Sequence, residues 1–224
     1  MPNPSDKLTE LLTEEEWDDL AALGRHRTYR KGQVIFREGQ AGGTVLAIRS
    51  GVVKISVVTP TGRDILLAVK EAGSLVGELA AIDGRPRSAT ATALDAVSAI
   101  ALPDRAFNDF LDKHPRMAVS LLRTLAAQIR EAASRTADRD TGDTTSRVAR
   151  RLVSLAERYG EYNGPVVEVN LPITQEDLAG WVGATREATS RSLGRLRDLG
   201  CLKTGRQRIV LLDVPALRGL ATAV

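Results

Sequence analysis

Only one cysteine, Cys201, occurs in the 224 residues. A single thiol excludes an intrachain disulfide framework and any Cys-rich metal or iron–sulfur site. Histidine is nearly as scarce. His26 and His114 stand far apart and read as surface or helix-end residues, which argues against haem and metal ligation. Aromatic residues make up 4%, so the core must be aliphatic. No apolar run approaches the length of a membrane span, and Met1–Glu10 is polar with no apolar signal core. The expectation is a soluble cytoplasmic protein with no membrane partner. Low-complexity segments and sequence repeats are absent, and no charge sign dominates, since the net charge is +3. What is present is 43% hydrophobic residues, enough for a packed core in one large or two small domains.

The charge is unevenly spread. Residues 1–142 carry 19 basic and 19 acidic side chains, whereas 143–224 carry 12 and 9. Within 185–208, seven basic residues (Arg186, Arg191, Arg195, Arg197, Lys203, Arg206, Arg208) face only Glu187 and Asp198. Such a cluster is either a solvated helix face or a surface for a polyanion.

Leu8–Leu23 reads as a helix, with Thr13 and Glu16 in capping-box spacing. From Tyr29 to Leu102 the pattern turns to short β segments, punctuated by Gly39, Gly51, Gly62 and Gly73 and by the turn signal Pro60-Thr61-Gly62. That rhythm predicts a sandwich or jelly roll. A long helix follows from Pro115, with Met117, Leu121, Leu122, Leu125 and Ile129 in a stripe. The stripe packs either on its own domain or as a two-helix dimer seam. The polar run 138–143 is the hinge candidate, Thr144 or Thr145 opens the next helix, Gly160–Pro165 reads as a loop and Val166–Leu171 as a strand.

Two segments carry the chemistry. The first is Gly77–Thr90, a Gly-led acidic turn (Glu78) followed by Arg87-Ser88-Ala89, with strand-like sequence on both sides. A carboxylate accepts hydrogen bonds from sugar hydroxyls; an arginine, a hydroxyl and backbone amides together hold a phosphate. The combination suits a ligand with both ribose and phosphate. The second is Ile173–Leu199, two helices around a turn at Gly183, with Thr174 and Thr185 as caps and Ala188, Leu193, Leu196 and Leu199 facing inward. Arg186, Glu187, Ser190 and Arg191 share the opposite face in its first two turns. Arginine binds guanine O6 and N7 bidentately, and glutamate accepts from cytosine N4. Cys201-Leu202 and Arg208–Leu212 read as a hairpin wing whose Lys203, Arg206 and Arg208 meet phosphates.

These segments, in this order, resemble the cyclic AMP receptor protein/FNR family of bacterial transcription regulators over nearly the whole chain. The resemblance implies an α+β fold: an N-terminal β jelly-roll cyclic-nucleotide-binding domain over 1–114, a dimerisation helix over 115–138, a hinge over 139–143 and a winged helix-turn-helix DNA-binding domain over 144–224. It implies an effector site of Gly77, Glu78, Leu79, Arg87, Ser88 and Ala89, with Glu78 on the ribose 2′-hydroxyl and Arg87 on the cyclic phosphate. The DNA-facing set is Thr174, Thr185, Arg186, Glu187, Ser190, Arg191, Lys203 and Arg206. Arg186, Glu187 and Arg191 match the base-reading side chains, which implies a palindromic TGTGA-like operator and a homodimer joined through the 115–138 helix. RNA polymerase is a further implied partner, in the region of Gly160–Pro165. The implied effector is cyclic AMP, with one departure: Ala132 and Ala133 stand where the family's adenine-reading hydroxyls are expected. That departure keeps a second reading open, a regulator that binds DNA without cyclic AMP or answers another small effector. An enzyme is not expected, because 143–224 holds no nucleophile–base or metal-ligand spacing.

Overall fold

The computed structural model describes residues 12–60, 62–141, 143–205 and 208–222, with residues 131 and 134–141 described by backbone alone. Two compact units result. Among the described residues, one holds 12–58 together with 66–129, and the other holds those of 59–65 and of 130–222.

The first unit opens on α1 (Glu14–Ala22), and its expected capping box is formed. The Glu16 N–H donates to Thr13 Oγ1 at 3.2 Å, and the Thr13 N–H donates to the Glu16 carboxylate at 2.8 Å. Residues 8–11 of the expected helix lie outside the described residues. Eight strands follow: β1 (Arg25–Tyr29), β2 (Val34–Phe36), β3 (Thr44–Ser50), β4 (Val53–Val58), β5 (Asp64–Lys70), β6 (Leu75–Val76), β7 (Thr90–Ala93) and β8 (Val97–Pro103), with α2 (Glu78–Asp83) between β6 and β7. They form two four-stranded sheets, β1-β8-β3-β6 and β2-β7-β4-β5. Strand β3 shows how the layers are built. Successive side chains point to opposite faces, and both faces of β3 are apolar. Leu46 and Ile48 pack between the sheets with Val53, Ala91 and Ala93. Val45 and Ala47 pack outward with Leu20 of α1 and with Phe107 and Phe110 of α3 (Asp104–Lys113). Helix α3 has no local sequence signal: its ten residues are mostly polar and no side chain caps its start at Pro103.

Helix α4 (Pro115–Thr141) starts at the expected proline. It runs through 139–141, three residues into the stretch expected as hinge. Asp143 then caps α5 (Thr144–Tyr159), accepting from the Ser146 N–H at 2.7 Å. That bond holds the Asp143 carboxyl below the ordinary aspartate range, against the opposing effect of burial, and Arg195 adds to it. Because the folded pKa lies below the unfolded one, the cap contributes fully above about pH 4 and its contribution is lost as pH falls through the folded value. Asp143→Ala should therefore cost about 1 kcal/mol at neutral pH. In thermal melts the gap between variant and parent should narrow progressively as pH falls below about 4 and stay constant from pH 5 to 8.

The second unit continues with β9 (Gly160–Asn163), β10 (Val166–Val169), α6 (Gln175–Val182), α7 (Arg186–Asp198), β11 (Leu202–Gly205), β12 (Arg208–Leu211) and α8 (Val214–Thr222). Its sheet has the order β11-β12-β10-β9. The segment expected as a loop at Gly160–Pro165 is corrected: its first four residues are β9, paired from Gly160↔Val169 to Asn163↔Val166. Gly-Glu-Tyr-Asn has no apolar alternation, so partner pairing and the turn at Gly164 (φ 62°) decide its conformation. Leu199 is a second correction. It is 56% exposed, because α7 has ended and Leu199 serves as its cap. Thr189 and Ser192 are buried on the inner face beside Leu193 and Leu196.

Candidate functional site

In the first unit, Gly77, Glu78, Leu79, Arg87, Ser88 and Ala89 come from the two ends of one excursion, β6–α2–β7. Gly77 has φ 90° and directs Glu78 into the first position of α2, where it is 8% exposed. Leu79 is 39% exposed, Ser88 is exposed and Ala89 is buried. The backbone of Arg87 is fixed to the loop before β3: its N–H donates to the Gln40 carbonyl at 2.8 Å, and its own carbonyl accepts from the Gly39 N–H at 2.9 Å.

The Arg87 side chain is the centre of the site. It is 5% exposed. Nη1 donates to the Gly77 carbonyl at 2.8 Å and Nη2 to the Thr44 carbonyl at 2.6 Å. The guanidinium lies over the Phe36 ring, 4.3 Å from its centroid. Nε is buried with no hydrogen-bond partner. Burial pulls the Arg87 pKa down, while the Asp104 and then the Glu78 carboxylate push it back; a guanidinium stays charged at any working pH. Two donors are thus committed to backbone and a third is unmatched, beside a buried carboxylate. That is the polarity a bound anion and a neighbouring hydroxyl need. Phe36, Thr44 and Asp104 escaped the sequence reading. Phe36 sits in an apolar run that reads as core, Thr44 acts through a backbone atom, and Asp104 starts a helix that was not expected.

Gly77 leaves no room for a side chain. A Cβ there would lie 2.5 Å from Arg87 Nη1 and 3.1 Å from the Thr44 carbonyl oxygen. Gly77→Ala should cost roughly 1–3 kcal/mol from backbone strain and displace Arg87 from its carbonyls. A lowered thermal midpoint together with weakened anion binding is the expected outcome.

In the second unit, the helix-turn-helix is built as its sequence implies. Thr174 and Asp177 close a capping box on α6: the Asp177 N–H donates to Thr174 Oγ1 at 3.1 Å, and the Thr174 N–H donates to the carboxylate at 2.8 Å. Gly183 is the left-handed cap at the turn, and Thr185 accepts from the Ala188 N–H to start α7. Arg186, Glu187, Ser190 and Arg191 are all exposed on the outer face. Lys203 is exposed on β11, whereas Arg206 lies outside the described residues.

The basic cluster divides. Arg208, expected to meet phosphates, is paired with Glu168. Arg197 donates to Thr204 Oγ1 at 3.3 Å, and Arg195 lies 3.9 Å from Asp143. Among the described residues, Arg186, Arg191 and Lys203 have no such partner and face solvent. Ala132 and Ala133 are exposed on α4. No helix among the described residues is long and apolar enough to cross a membrane, and none of their His, Cys, Asp and Glu side chains group as a metal site.

Residues 26–114 match the cyclic nucleotide-binding domain, and 146–220 match the Crp-like helix-turn-helix domain. The chain is 32% identical to a CRP-like cAMP-activated global transcriptional regulator of Mycobacterium tuberculosis, over 83% of each chain. The protein belongs to the CRP/FNR family of transcription regulators. Within that family it is also 28% identical to the anaerobic regulatory protein of Pasteurella multocida, over 92% of this chain and 76% of that one. Its fold matches that of the c-di-GMP responsive global regulator CLP of Xanthomonas campestris, with a TM-score of 0.76 at 20% identity, covering 89% of this chain and 99% of that one. A CRP/FNR regulator is a DNA-binding protein and not an enzyme, in keeping with the expectation from its sequence.

Proposed function

We propose that this CRP/FNR regulator is a homodimer whose DNA affinity is set by a cyclic nucleotide, cyclic AMP first, held by Gly77, Glu78, Leu79, Arg87, Ser88 and Ala89. The observation that carries the reading is the buried Arg87 beside the buried Glu78, with an unmatched Nε. Arg87 takes the cyclic phosphate and Glu78 a ribose hydroxyl. On the DNA side, Arg186, Glu187 and Arg191 read the bases of a palindromic TGTGA-like operator, while Thr174, Thr185, Ser190, Lys203 and Arg206 hold its backbone. The dimer forms through α4, whose Val119, Leu122 and Ile129 are exposed at 46%, 64% and 70%. The hinge lies over 139–143, and Gly160–Pro165 is the segment that faces RNA polymerase. Effector binding shifts the population toward the arrangement that spaces two recognition helices about 34 Å apart.

Calorimetric titration with cyclic AMP, joined to mobility shifts on a palindromic duplex, tests this. Saturable binding that tightens DNA affinity is expected. No heat of binding, with DNA affinity indifferent to cyclic AMP, would overturn the cyclic AMP part and favour the second reading, another effector or none. Two observations support that second reading. Ala132 and Ala133 lack the hydroxyls that would accept or donate at an adenine edge, a loss of roughly 0.5–1.5 kcal/mol each. The names of the relatives also span cyclic AMP activation and anaerobic regulation.

A further inference from the structure

The anion site contains a negative charge that the proposed effector contacts do not use. Asp104 is the first residue of α3, directly after β8. Its Oδ2 accepts from the Gly43 N–H at 2.7 Å. The next residue, Thr44, gives its carbonyl to Arg87 Nη2 at 2.6 Å. A carboxylate and a guanidinium are thus tied to adjoining residues at the start of β3. Each also leaves one buried atom unmatched: Asp104 Oδ1 and Arg87 Nε have no hydrogen-bond partner. Unmatched buried groups of opposite charge offset each other's desolvation through space, even without direct contact.

We propose that Asp104 is the resident counter-ion of Arg87 in the empty site and that it sets the affinity of that site for an anionic effector. The inference rests on the reading of Arg87 as the anion-binding group. The carboxylate has little freedom to withdraw. A Cβ at Gly42 would lie 3.0 Å from Asp104 Oδ2 and 3.3 Å from the Ala80 Cβ, so the carboxylate, the 42–44 loop and α2 are already close-packed. An incoming phosphate therefore shares Arg87 with a fixed negative charge. The site gives up part of its affinity in return for a buried arginine that is neutralised when empty. Asp104 is here a positioning residue: it touches Gly43 and acts on the ligand only through Arg87.

Asp104→Asn tests this with the full chain, because the amide oxygen keeps the bond to Gly43 while the charge goes. Titration with cyclic AMP should show binding roughly three- to tenfold tighter than the parent at low salt, the size of one partly screened charge, with the gain shrinking as salt rises. Adenosine, which has no phosphate, should bind the two proteins alike; a merely structural role would move both ligands together. A cycle of thermal midpoints with Asp104→Asn, Arg87→Gln and the double variant supplies a readout without nucleotide. Asp104→Asn should lower the midpoint of the parent but not that of Arg87→Gln. Unchanged or weaker binding of cyclic AMP to Asp104→Asn, or additive midpoints, overturns the inference. If no variant binds cyclic AMP while the midpoints remain coupled, the cyclic-nucleotide reading fails and the counter-ion assignment stands.

Discussion

Arg191→Ala should sharply reduce operator selection while leaving the protein folded. One bidentate contact to guanine discriminates by about 1–3 kcal/mol, and a two-fold dimer makes it twice. The expected loss on a TGTGA-like palindrome is roughly 30- to 20 000-fold. Arg186→Ala should behave likewise, because both side chains are exposed on the same face of α7 and neither packs into the core. Lys203→Ala provides the contrast. A phosphate contact carries no sequence information, so its loss weakens binding to operator and to scrambled duplex alike and lowers the salt slope by about 0.9 per phosphate. Mobility shifts on both duplexes over a salt series separate the two behaviours. An Arg191→Ala protein that still prefers the palindrome as strongly as the parent would remove α7 from base reading.

Arg87→Ala should have the second large effect, on two properties at once. Its guanidinium donates to the carbonyls of Gly77 and Thr44 in a buried site. Hydrogen bonds from a charged donor contribute about 1.5–3 kcal/mol each, and carbonyls left buried without a donor add a desolvation cost. A stability loss of about 3 kcal/mol is expected, together with roughly 10- to 100-fold weaker binding of an anionic nucleotide. Arg87→Lys separates them: the ammonium keeps the charge but cannot reproduce the planar fork, so it should recover part of the anion binding and little of the brace. An unchanged thermal midpoint for Arg87→Ala would contradict the hydrogen bonds described.

What was legible in the chain follows from the range over which each interaction acts. Thr13, Thr174 and Thr185 cap helices by bonds to residues three apart, so their partners are read from the sequence itself. Gly77 and Gly183 sit at left-handed positions that few other residues tolerate. Glu78 and Arg87 were visible as chemistry, and their burial together bears on their role. The partners of Arg87 were not visible. Thr44 is 43 positions away and contributes a backbone oxygen, which has no sequence signature. Helix α3 and β9 were missed for the opposite reason: their local composition is polar, and long-range packing of Phe107 and Phe110, or pairing with β10, decides them. The charge count over 185–208 does not show that Arg195, Arg197 and Arg208 also have partners within their own domain, because Asp143, Thr204 and Glu168 are brought to them only by the fold.

Arg87 braces the start of α2 to the start of β3 with no ligand taking part. Folding alone is then sufficient reason for a descendant of this chain to keep it. A duplicated copy released from its original signal would lose the hydroxyls that read a base long before it lost the cationic pocket. It would remain a stable socket built around a buried guanidinium, open to recruitment by whichever phosphorylated metabolite next acquired a fit.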